Sequence, residues 1–203
     1  LYVRLLVMAR PEDRFIAMPV PRLPAERDRS NMENQLQFIR SRIDSKTNDE
    51  IRTDAEAIGL LSELGPDQNI LAYAFNFSTP SGSINTDLKL ANDLNKAIYS
   101  RLSINPGEDI YGYDLIVSTT DLHEDTYGEA FMKSYGRRLG IKVPTAPRDQ
   151  REEIVITVLR SVVMDPWVTE TSKGSFIDVL EKEFRKAVSA AIEEIAPTQT
   201  RGD

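Results

Sequence analysis

The residues Ile154-Val155-Ile156-Thr157-Val158-Leu159-Arg160-Ser161-Val162-Val163-Met164 form the longest apolar run of the sequence, and they constrain the fold most. β-Branched residues dominate the run, so it predicts a strand buried on both faces. One charge, Arg160, interrupts it. Asp165-Pro166 stops the strand, because proline fixes φ and has no N–H. A helix is expected after Ser175, where Ser175 and Asp178 make a capping-box-like start. Its apolar stripe is Phe176, Val179, Leu180, Phe184, Val188, Ile192 and Ile195, and Pro197 ends it.

Other elements follow from the same patterns. Asn69–Phe77 predicts a second strong strand, and Tyr113–Thr119 a third. Between them, Asn85 or Thr86 caps a helix whose buried stripe is Leu88, Ala91, Leu94, Ile98 and Leu102. Thr120 or Asp121 caps a further helix that runs to about Leu139, where Gly140 stops it. Upstream, Ser30 with Glu33 opens a helix carrying Met32, Leu36, Ile39 and Ile43. A second helix runs from Glu50, capped by Asp49, to Leu64, with Gly65-Pro66 as its terminator. The first nine residues make a short apolar element, and Phe15–Met18 can form a strand. The prolines at 11, 19, 21 and 24 make this stretch read as an extended arm.

The order from residue 69 is β-α-β-α-β-α. It predicts an α/β domain with a small antiparallel or mixed sheet and helices on one face, preceded by the Pro-rich arm. The expected organisation is an arm or linker over 1–30, a helical connection over 31–65, the α/β domain over 66–196 and a tail over 197–203. Arg201-Gly202-Asp203 belongs to that tail.

Charge and composition exclude several function classes. A net charge of −7 with no basic cluster argues against nucleic acid as a partner. With no cysteine there is neither a disulfide nor a thiolate metal site. No apolar stretch reaches the roughly 18–20 residues of a membrane span. The start lacks the basic and small-residue features of a signal peptide, so a cytoplasmic location is expected. The sequence begins with Leu1 and reads as a piece of a longer protein.

Few residues carry candidate chemistry. Arg160, inside an apolar strand, must meet an anion or several carbonyls. His123, the single histidine, lies beside Glu124 and Asp125, but adjacent positions at a helix start do not converge on a metal, and no metal site is expected. The oxygen-rich stretch Asp44–Glu50 lacks the spacing of a calcium loop. Tyr111 and Tyr113 flank Gly112 on a loop from which they could reach a neighbouring site.

The stretch Val158–Glu170, followed by a long amphipathic helix, resembles the C-terminal signature of the group II pyridoxal-phosphate-dependent amino-acid decarboxylases. That signature is an apolar strand with an Arg, a short polar residue and Pro, then Thr before the final helix. Asn69–Phe77, Asp87–Leu102 and Leu115–Thr120 resemble the preceding elements of the same small domain, so the resemblance spans about residues 66–195. The whole sequence, arm included, is most similar to the C-terminal part of a fungal tyrosine-decarboxylase-like group. The resemblance implies the C-terminal small domain of a fold-type-I enzyme that releases CO2 from an aromatic or related L-amino acid. It implies pyridoxal phosphate bound mainly by a preceding large domain, that N-terminal portion as partner, a homodimer, and Arg160 as the substrate-binding residue. The family's cofactor lysine lies in a His-Lys motif of the large domain, and no lysine here has that context, so no catalytic or cofactor-binding residue is expected in this chain. The segment Asp121–Glu152 is longer than the family's usual connection. Two rival readings are a non-catalytic regulatory or interaction domain of the same fold, and the small domain of another fold-type-I enzyme.

Overall fold

The apolar run forms a central strand. The computed structural model describes residues 1–28, 31–64, 70–162, 172 and 174–196. Its sheet comprises β1 (Phe15–Pro19), β2 (Ile70–Phe77), β3 (Ser118–His123) and β4 (Val155–Val162), in the order β1-β2-β4-β3 and antiparallel throughout. The strand stop expected at Asp165-Pro166, the terminator Gly65-Pro66, the cap Ser30 and the tail from Pro197 lie outside the described residues.

The helices are α1 (Tyr2–Val7), α2 (Pro24–Arg27), α3 (Met32–Ile39), α4 (Asn48–Arg52), α5 (Ala55–Leu64), α6 (Leu88–Arg101), α7 (Glu124–Tyr127), α8 (Glu129–Leu139) and α9 (Phe176–Ile195). They cover both faces of the sheet rather than the one expected, because both faces of the inner strands are apolar. Tyr73, Phe75 and Phe77 of β2 and Leu159 of β4 pack with Leu5 of α1, Leu94 and Ile98 of α6, and Leu180, Phe184 and Val188 of α9. Ala74, Ile156 and Val158 face the other way, onto Met132, Tyr135 and Leu139 of α8.

The Pro-rich arm is not a separate extended segment: its Phe15–Pro19 is an edge strand of the sheet, with Phe15 and Ala17 buried. The physical reason lies in the ladder. Val20 N–H donates to Ala72 O and Ser78 N–H to Arg14 O, so alternate residues of β1 bond to β2. Pro19 falls between them with its nitrogen directed outward, where an edge strand tolerates proline. α1 is held by Arg4, whose guanidinium meets Asp44, Asp178 and Glu181.

Several boundaries moved for local reasons. Thr47, not Asp49, caps α4, in a capping box with Glu50. The single helix expected to Leu64 breaks at Thr53, and Asp54 restarts it by accepting the Glu56 and Ala57 N–H groups. α3 runs on into one π-helical turn, Arg40–Asp44. Asp87, rather than Asn85 or Thr86, caps α6. The third strand is displaced to Ser118–His123, which takes the first residues of the expected helix; Gly140 ends α8 in the left-handed conformation, as expected.

β2 and β4 pair only from Ile70↔Val162 to Tyr73↔Leu159 and then splay. Continued by two residues, that register would set Phe75 opposite Thr157. α6 enters the gap and supplies the missing bonds. Asn95 Oδ1 accepts from Phe75 N (2.8 Å), and its Nδ2 donates to Phe75 O (2.9 Å) and Ala91 O (2.8 Å). Asn92 Oδ1 accepts from Thr157 N (2.9 Å), and its Nδ2 donates to Val155 O (2.8 Å). Buried backbone polar groups require partners, and here two asparagines one helical turn apart provide them.

Candidate functional site

Arg160 lies in the central strand, flanked by Ala72 on β2 and Ser118 on β3. It shares a face with Ile156 and Val158, because strand side chains alternate. α8 covers that face over Ile156, Val158, Ala74 and Leu122. Beyond Arg160 the cover stops: Val162 is 54% exposed and its partner Ile70 48%. Ile116, two residues before the start of β3, is also 43% exposed. Arg160 thus stands, half-buried, at the boundary between the covered and open parts of the sheet.

Its side chain makes no hydrogen bond or ion pair with a described residue; its backbone lies in the ladder, and its carbonyl also accepts from Ser118 Oγ. Other half-buried or buried arginines differ: Arg4, Arg138, Arg151 and Arg185 each engage at least one carboxylate. A planar guanidinium with open donors at a strand's end suits bidentate contact with a carboxylate.

The other sequence candidates are dispersed. His123 is the N-cap residue of α7, exposed, with Nδ1 3.4 Å from Glu153 Oε2. No group of three or more His, Asp or Glu side chains converges as a metal site among the described residues. Tyr111 is 94% exposed on a 3-10 turn, and the Tyr113 hydroxyl donates to Glu108. No helix of the described residues is long and apolar enough to cross a membrane.

A lysine for a cofactor Schiff base would have to be uncharged at need, and so buried or desolvated. Lys46, Lys89 and Lys133 pair at the surface with Glu50, Asp93 and Glu129. Lys96, Lys142, Lys182 and Lys186 are exposed, and Lys173 is outside the described residues. The described residues therefore do not fit pyridoxal phosphate as a covalent cofactor of this chain alone.

Sequence reasoning missed a buried ion pair. Arg151 Nη1 and Nη2 donate to Glu124 Oε2 and Oε1 at 2.7 and 2.6 Å, with the side chains only 7% and 4% exposed. Arg151 Nε donates to Ala146 O, and Glu124 also accepts from Ile154 N. The Arg151 hydrogen bonds hold the Glu124 carboxyl down to about 2, and Glu124 in turn raises the guanidinium. This clasp fastens the long 121–152 connection to the start of β4. In sequence, Glu124 reads as an ordinary acid at a helix N-terminus, and nothing there pairs it with a residue 27 positions on.

Among curated proteins, none matches this sequence. The family described as "Tyrosine decarboxylase, C-terminal" matches over residues 40–194, from the π-helical turn into the last turn of α9, and the chain belongs to that family.

Proposed function

We propose that this chain is the C-terminal part of a pyridoxal-phosphate-dependent decarboxylase that removes CO2 from tyrosine or a related aromatic L-amino acid. In this reading the cofactor lysine comes from the preceding portion of the parent polypeptide, and the enzyme is a cytoplasmic homodimer. Membership of the tyrosine decarboxylase C-terminal family supports the decarboxylase class. The observation that carries the residue assignment is the half-buried Arg160 guanidinium, open to an anion at the uncovered end of the sheet.

Arg160 receives the substrate carboxylate. Loss of CO2 needs that group fixed in one orientation, and a two-point guanidinium contact fixes it. The same contact stabilises the charged ground state, which decarboxylation consumes, so its removal acts on KM more than on kcat. Charge-assisted hydrogen bonds contribute about 1.5–3 kcal/mol. Arg160→Ala in the parent enzyme should therefore raise KM for tyrosine roughly 10- to 150-fold, while the absorbance of bound cofactor is retained. An unchanged KM would remove Arg160 from the substrate site. A parent protein that is colourless and releases no CO2 from any aromatic amino acid would refute the decarboxylase reading, and a non-catalytic interaction domain of this fold would replace it. That second reading is favoured by one observation, the surface placement of every described lysine.

A further inference from the structure

We propose that Tyr111 is a phosphoacceptor for a protein kinase whose cleft recognises acidic residues on the N-terminal side of the tyrosine. The pattern Glu-Asp-X-Tyr-Gly occurs twice in the chain, as Glu108-Asp109-Ile110-Tyr111-Gly112 and as Glu124-Asp125-Thr126-Tyr127-Gly128. The fold treats the two copies in opposite ways. The first lies on the loop between α6 and β3, where Tyr111 is 94% and Ile110 55% exposed. Glu108 and Asp109 bond within that loop: Glu108 accepts from Asn105 N, Asn105 Nδ2 and the Tyr113 hydroxyl, and Asp109 Oδ1 accepts from Tyr111 N. No described arginine or lysine forms an ion pair with either carboxylate. The loop is closed at its base by Val117 N–H donating to Leu102 O, with Leu102, Leu115 and Val117 buried. Its outer residues can therefore extend into a cleft without opening the core.

In the second copy the same residue types are locked. Arg151 holds Glu124 in the buried clasp, Arg148 pairs with Asp125, and Tyr127 ends α7 with its ring 5.4 Å from that of Phe131. A basic cleft thus meets two open carboxylates before Tyr111 and two arginine-paired ones before Tyr127, and kinases select substrates by charge patterns of this kind. Ile110, exposed beside Tyr111, offers an apolar side chain to the same cleft. In the transfer, Tyr111 Oη attacks the γ-phosphorus of ATP. The Oη–P bond forms as the bond to the bridging oxygen of the β-phosphate breaks, ADP leaves with the electron pair, and the phenolic proton passes to the catalytic aspartate of the kinase. The new group adds a charge of about −1.5 to −2. It stands beside Glu108 and Asp109, so like-charge repulsion works against the turn that Asp109 makes with Tyr111 N–H and extends the loop.

The test uses the parent protein, Mg-ATP and a purified protein tyrosine kinase chosen because it phosphorylates the free peptide of residues 104–116. Phosphate at each tyrosine is followed in time by peptide mass spectrometry. A kinase reaching Tyr127 must first open the Glu124–Arg151 clasp, so Tyr111 should be labelled at least about tenfold faster than Tyr127. Tyr111→Phe should remove that phosphate and leave labelling at Tyr127 unchanged. Asp109→Asn should slow labelling at Tyr111 severalfold, and an unchanged rate would overturn recognition through the acidic residues. No phosphate at Tyr111 in the folded protein, or labelling of Tyr127 within about twofold of it, would overturn the site itself.

Discussion

Replacing Asn95 tests the account of how α6 closes the split sheet. Asn95 is fully buried, and its amide is the partner of both Phe75 N–H and Phe75 C=O on the side where β4 has moved away. Truncation to alanine strands both groups in a core built from Tyr73, Phe75, Leu94 and Ile98. Each buried unsatisfied group costs about 1–3 kcal/mol, so Asn95→Ala should lose roughly 2–6 kcal/mol. That is a large fraction of the 5–15 kcal/mol typical of a domain. Ala91 O is not stranded, since it keeps its helical bond. Asn92 makes the equivalent bonds to Thr157 N and Val155 O but is only half-buried, so water can replace its amide and Asn92→Ala should cost under about 1.5 kcal/mol. Asn95→Asp is the sharper variant. Its carboxylate still accepts from Phe75 N–H, but it offers no donor to Phe75 O and places a charge beside that carbonyl. The assay is urea unfolding followed by far-UV circular dichroism. A loss below about 1 kcal/mol for Asn95→Ala, or equal losses at 92 and 95, would refute the idea that these amides substitute for ladder bonds.

Three further outcomes are expected. Phe184→Ala removes the ring that α9 packs 5.5 Å from Tyr73 and 5.7 Å from Phe75, and thermal or urea unfolding should report a loss of about 3–5 kcal/mol. Gly140→Ala introduces a side chain at φ +83°, with its Cβ 2.6 Å from Ile84 Cγ2, and calorimetry should show a destabilisation of about 1–3 kcal/mol. Glu124, held at about 2 against an ordinary 4.5, contributes stability that is fully present above pH 4.5 and disappears as pH falls toward 2. Glu124→Gln should therefore unfold at lower urea than the wild type above pH 4.5, with the two midpoints converging at lower pH; a constant difference down to pH 2 would count against the Arg151 clasp.

The strands and helices that were legible in sequence are those whose pattern is self-sufficient. β2 and β4 are continuous apolar runs, and α9 buries Leu180, Phe184, Val188 and Ile192 as expected, with Ser175 accepting from Ile177 N–H; Ile177 takes the place of the expected Phe176 and Val179, which point outward and are 41% and 38% exposed. The family was likewise readable from short motifs in order. β3 was misplaced because Ser118–His123 has one buried apolar residue, Leu122, and exists as a strand only by pairing with β4. Its local chemistry, Thr120 and Asp121 before acidic residues, suits a helix start equally well.

Arg160 shows the same division at the candidate site. That an arginine stands inside the apolar strand is fixed by sequence, and so is its need for an anion or several carbonyls. That it sits at the edge of α8's cover, beside the exposed pair Ile70 and Val162 and without a described partner for its side chain, depends on register and on where a helix ends. The sequence by itself determined the central strand, the long helices, the family and the net charge of −7, because each follows from local propensity, periodicity or a sum over residues. Only the tertiary structure decided that a proline-bearing arm completes the sheet, that Asn92 and Asn95 replace its missing ladder, and that Glu124 finds Arg151. Those outcomes depend on which backbone donors and charges are left without water once the core has closed, and no local stretch of sequence carries that information.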